Sequence, residues 1–107
     1  MVSKSLIITH WGLEELKAEI VYFRMNASDT IADRFKADFQ SQVESILPNP
    51  YIYPECRFLP TKTQIYRNII WGNYLIIYKI KLKTVEVLSL FHSKQKPAKI
   101  KMVRMRK

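Results

Sequence analysis

The chain has 107 residues, 18 basic and 9 acidic side chains, a formal net charge of +9 and a hydrophobic fraction of 48%. That length holds one domain, 1–107, and that apolar fraction supports a core without metal or disulfide help. The single cysteine, Cys56, has no intrachain partner and suits a reducing compartment.

No apolar run approaches the roughly 20 residues that cross a bilayer. Leu6-Ile7-Ile8, after Lys4, is too short for a secretory signal. The expectation is a soluble cytoplasmic protein with no membrane contact. One cysteine and two histidines make no metal-ligand spacing, and Gly12 and Gly72 alone make no phosphate-cradling loop. No Ser/His/Asp spacing suggests a nucleophile, so neither metal nor cofactor is expected.

The charge is unevenly placed. Residues 1–56 hold five basic and eight acidic side chains, whereas residues 57–107 hold thirteen basic ones and a single acid, Glu86. Such a split says more about partners than about fold: nucleic acid, a ribosome or an acidic protein.

In chain order, Ser5 to Thr9 reads as a short strand. A helix follows from about Gly12 to Asn26, with Leu13, Leu16, Ile20 and Phe23 on one face and Glu14 and Glu15 in the first turn. Ser28 or Asp29 can cap a second helix from about Thr30 to Leu47, with Ile31, Phe35, Phe39, Val43 and Ile46 along one stripe. Pro48-Asn49-Pro50 stops it. The short connection predicts an antiparallel helical hairpin.

Beyond residue 50 the period changes to alternation. Tyr51 to Pro54 reads as an extended connector and Cys56 to Leu59 as a first strand. Gln64 to Trp71 is a strand with Ile65, Arg67, Ile69 and Trp71 on one face. Gly72-Asn73 is a hairpin turn, and Tyr74 to Lys81 and Thr84 to Phe91 complete a meander. The fold class is α+β: an N-terminal strand and an antiparallel helical hairpin packed on a C-terminal antiparallel β-sheet. The basic tail, from about 94 to 107, reads either as a disordered arm or as a strand or helix that needs a partner to bury Ile100, Met102, Val103 and Met105.

The string from Tyr66 to Ile80, then Val85-Glu86-Val87-Leu88-Ser89-Leu90-Phe91-His92-Ser93-Lys94-Gln95-Lys96-Pro97, resembles the RelE/ParE superfamily of toxins from bacterial type II toxin–antitoxin modules. So do Leu16, Ile20, Phe23, Ala32 and Phe35 upstream, with the exit Leu47-Pro48-Asn49-Pro50. The resemblance runs to Pro97, where the family pattern closes on His-x-Arg-x-x-Pro. Here Lys94 replaces that arginine, which keeps the charge and loses the bidentate fork.

The resemblance implies one of two activities: binding and poisoning of DNA gyrase (ParE-like), or ribosome-dependent mRNA cleavage (RelE-like). It also implies a cognate acidic antitoxin and a toxin–antitoxin hetero-oligomer. A toxin-derived nucleic-acid-binding module without toxicity is a third reading. The long helices and the sparse acid–base set favour action by binding.

For RNA cleavage the candidate groups are Arg67 as the cation, His92 as the acid–base group and Tyr78. Each has a structural alternative: Arg67 snorkelling to an edge or pairing with an acid, His92 bonded to backbone, Tyr78 a core residue with a satisfied hydroxyl. Lys62, Arg67, Lys81, Lys83, Lys94 and Lys96 are the candidates for contacting target or antitoxin. The alternative for these lysines is a solvated edge that blocks aggregation.

Overall fold

A computed structural model describes residues 4–105. Strand β1 (Ser5–Ile8) is followed by helices α1 (His10–Asn26) and α2 (Asp29–Glu44), then strands β2 (Tyr66–Trp71), β3 (Tyr74–Ile80) and β4 (Thr84–His92). A run of 3₁₀ turns covers Pro97–Met105. The strands form one sheet ordered β1-β4-β3-β2. The meander β2-β3-β4 is antiparallel as expected, and β1 joins it in parallel to β4, from Ser5↔Thr84 to Ile8↔Val87.

Helix α1 begins at His10, two residues earlier than its periodicity suggests, because Thr9 caps it. Thr9 Oγ1 accepts from Gly12 N at 3.2 Å and donates to Val87 O at 3.0 Å, so the cap also ties the helix to β4. Glu14 and Glu15 therefore fall beyond the first turn, which holds no acid. Gly12 serves a close approach: a Cβ there would lie 2.9 Å from the Val87 carbonyl oxygen. Ser28 caps α2 by accepting from Ile31 N at 3.1 Å. That helix ends at Glu44, short of Leu47, where i→i+3 bonds from Ile46 N and Leu47 N tighten the chain before Pro48.

The hairpin covers one face of the sheet. Leu16, Phe35, Phe39, Val43 and Ile46 bury against Ile69, Ile76, Tyr78, Ile80, Val85, Val87 and Leu90. Phe35 lies 4.8 Å from both Phe23 and Trp71, centroid to centroid, and Tyr74 continues the aromatic row at 5.7 Å from Trp71. Such pairs add about 0.5–1.5 kcal/mol each beyond the area they bury. Leu13 and Ile31 do not join this core; both are exposed, and Ala32 occupies the buried place beside Ile31.

The other face has a second core of Cys56, Leu59, Tyr66, Ile77, Phe91, Ile100 and Val103. The tail thus needs no partner to bury Ile100 and Val103, since the sheet's own apolar second face receives them, while Met102 and Met105 stay exposed. Segment Cys56–Leu59 is a turn and not a strand. It meets the sheet through the adjacent bridge Glu55↔Arg67, with Cys56 N donating to Tyr66 O and Asn68 N to Pro54 O. Pro54 has no N–H to extend the ladder, and Leu59 N turns back to Cys56 O. The expected connector after Pro50 is likewise a turn, with Ile52 N donating to Asn49 O.

Candidate functional site

Two places on the hairpin-facing side gather candidate side chains. At the first, Arg67 and Tyr78 stand opposite each other in the β2–β3 register. Arg67 Nη1 donates to Tyr53 O at 3.0 Å and to Tyr51 O at 3.4 Å, and its Nε donates to Gln64 O at 2.9 Å. Its guanidinium carbon lies 5.0 Å from the Tyr51 ring centroid. The fully buried Tyr78 donates its hydroxyl to Pro50 O at 2.6 Å. Burial drives the Tyr78 phenol far above its ordinary range, with the positive charge of Arg67 pulling weakly the other way. Among the described residues Arg67 pairs with no acid; with Tyr78 it anchors the loop that leaves the hairpin.

The second place is a cleft of about 570 Å³ between α1 and the open ends of β3 and β4, lined by Glu19, Tyr22, Phe23, Tyr74, His92 and Lys94, among others. His92 Nδ1 accepts from Lys94 N at 3.0 Å, so the neutral imidazole carries its proton on Nε2. Tyr74 meets the His92 ring edge-on at 4.9 Å and donates its hydroxyl to Glu19 Oε2 at 2.7 Å. Burial first, then the Glu19 carboxylate, raises the Tyr74 phenol well above its ordinary range.

The structure does not bring the three catalytic candidates together. His92 pairs with Tyr74, four residues along β3 from the Arg67 partner Tyr78. Four residues of strand separate the two sites by about 13 Å along the sheet, and β3 lies between β2 and β4. Glu19 is the cleft residue that sequence reasoning missed. It lies on the flank of the Leu16–Ile20–Phe23 stripe, where an acid looks like any solvated helix residue.

Lys62, Lys81, Lys83, Lys94 and Lys96 are all exposed. Lys81 Nζ pairs with Glu86 at 3.0 Å. Lys4 Nζ caps the hairpin tip by donating to the carbonyls of Lys81 and Leu82. Among the described residues no group of three or more His, Cys, Asp or Glu side chains could hold a metal ion. No helix among them is long and apolar enough to cross a membrane.

The helical hairpin on one face of this β1-β4-β3-β2 sheet is the arrangement that the resemblance implies, and the family model places the chain among the toxins of the RelE/ParE superfamily. Within it, the chain belongs to the ParE toxin family of type II toxin–antitoxin systems (parDE), whose family model matches residues 6–97. Among solved structures, a chain of the "Chromosomal ParDE TA system from P. aeruginosa" superposes with a TM-score of 0.72 at 16% identity. The match covers 85% of this chain and 97% of that one. No curated protein matches the chain significantly.

Proposed function

We propose that this protein is the toxin of a type II module that arrests growth in the cytoplasm by binding DNA gyrase, and that a cognate acidic antitoxin neutralises it. The observation that carries this reading is the separation and engagement of the catalytic candidates. Metal-free RNA cleavage needs a base, an acid and a cation around one phosphate. Here Arg67 is bonded to loop carbonyls, Tyr78 is buried on Pro50 O, and His92 lies in a different cleft. Membership of the ParE family supports gyrase over the ribosome as the target.

The exposed cations Lys62, Lys81, Lys83, Lys94 and Lys96 are the groups we assign to target and antitoxin contact, together with the charge of Arg67. An acidic partner lowers their mutual repulsion and steers its own encounter. The result is a toxin–antitoxin hetero-oligomer.

The direct test is supercoiling by purified gyrase. The toxin should block it in a dose-dependent way, and added antitoxin should restore it. Unchanged supercoiling at saturating toxin sinks the gyrase reading. Translation-dependent mRNA cuts after induction, abolished in His92→Ala or Arg67→Ala, would put ribonuclease activity in its place. Absence of growth arrest on induction would make the chain a module without toxicity.

A further inference from the structure

The second face of the sheet carries a cationic ridge that the gyrase reading leaves unused. In 3₁₀ turns side chains three apart eclipse one another. With Ile100 and Val103 turned into the core, Lys101 and Arg104 share one flank. The Arg104 guanidinium carbon lies 5.5 Å from the centroid of the Tyr66 ring, and Lys79 Nζ lies 5.5 Å from the same centroid. Arg104 Nη2 donates to Pro60 O at 2.9 Å, which fixes its arm. In the same covering loop Arg57 stacks over Phe58 at 4.9 Å.

The nearby acids are occupied. Glu86 is ion-paired with Lys81, and Glu55 accepts from Thr61 N at 3.3 Å. Among the described residues no carboxylate pairs with Arg57, Lys79, Lys101 or Arg104.

We infer that this ridge binds the phosphate backbone of duplex DNA without reading its sequence. Four unpaired cations, two of them held on one ring from β3 and from the 3₁₀ segment, suit the regular charge of a duplex. Single-stranded nucleic acid calls for exposed rings on which unstacked bases lie. Here the Tyr66 ring is covered by two cations and only 6% exposed. An acidic protein calls for apolar anchors among the charges. Tyr66, Ile100 and Val103 are covered on this flank, and the exposed Met102 and Met105, three apart, form a separate flank of the 3₁₀ segment from the Lys101–Arg104 row.

The experiment is fluorescence anisotropy with the full chain and a labelled duplex of arbitrary sequence, in the absence of gyrase, so its failure and that of the gyrase reading are separate. With four contacts the slope of log affinity against log salt should be about −3.6, a loss of roughly 100-fold between 50 and 200 mM salt. Lys79→Gln with Lys101→Gln leaves the Arg104–Pro60 bond intact and should lower the slope by about 2. A thermal melt checks that this variant is folded. Arg34→Gln with Lys36→Gln removes the same charge from α2 and should leave the slope unchanged. Equal losses in both variants, a flat salt dependence of the parent chain, or binding of single strands, duplex RNA or an acidic peptide as tight as duplex DNA would each overturn the inference.

Discussion

Arg67 and Tyr78 face each other across β2 and β3 and hold the same loop, Arg67 through the carbonyls of Tyr51 and Tyr53 and Tyr78 through that of Pro50. Both are therefore structural anchors, whatever else the protein does. Arg67→Ala should cost about 2 kcal/mol and Tyr78→Phe about 1 kcal/mol, since each leaves loop carbonyls without their donor. Because they serve one loop, the double variant should depart from additivity by at least about 0.5 kcal/mol in urea denaturation. Strict additivity would mean the loop is held elsewhere. His92→Ala leaves that loop untouched and removes only the Lys94 N–Nδ1 bond and the edge-on contact with Tyr74, so it should cost about 1 kcal/mol and add independently to either loop variant.

Alkali should act on the fold through Tyr74 and Tyr78. The phenols of Tyr74 and Tyr78 are both raised in the fold, mainly by burial. Each therefore contributes stability that is complete below the unfolded value of about 10 and is lost as pH rises through the folded value. Unfolding free energy should fall above about pH 10, and the phenolate absorbance of Tyr74 and Tyr78 should appear late, with unfolding. Tyr78→Phe should remove one of them. Simultaneous ionisation of every tyrosine in the folded protein would contradict the burial argument.

Gly12→Ala sets two effects against each other. The added methyl favours the helix by about 1 kcal/mol. It would also sit 2.9 Å from the backbone oxygen of Val87, which cannot swing aside as a side chain would. Overpacking of this kind costs about 1–3 kcal/mol, so the melting temperature should fall by several degrees. A rise would show that α1 can lift off β4 at no cost.

The second core gives a paired prediction. Ile100→Ala should cost about 2–5 kcal/mol, and the exposed Met102→Ala less than about 0.5 kcal/mol. The buried Cys56 thiol, whose pKa is raised chiefly by desolvation, belongs to the same cluster. It should react slowly with thiol reagents in the native protein and faster in Ile100→Ala. Equal rates would mean that the 3₁₀ segment does not guard it.

Much of the fold was legible because its elements follow their own periods. Phe35, Phe39 and Val43 mark the buried stripe of α2, and Gly72-Asn73 marks the β2–β3 turn, with φ +58° at Gly72. The misreadings arise where a tertiary contact overrides a local pattern. Cys56 and Leu59 are apolar enough for a strand, yet the prolines at 54 and 60 confine them to a turn under the tail. The tail looked charged and slack because no local signal shows that Tyr66, Ile77 and Phe91 await Ile100 and Val103. Arg67 and His92 were read as neighbours in chemistry, but strand register, which no single segment specifies, holds them apart. Glu19 meets Tyr74 from 55 residues away, beyond any local pattern.

The parallel seam between β1 and β4 has a consequence for how the chain folds. Thr9 meets Val87 at a sequence separation of 78, so this seam closes a long loop. Contacts so distant in sequence are late and slow compared with local hairpins. A chain under synthesis can form α1, α2 and the β2–β3 hairpin in turn, but β1 has nothing to pair with until residues 84–87 have emerged. The sheet is therefore complete only once Thr84–His92 has emerged, and until then the growing chain lacks its finished surface.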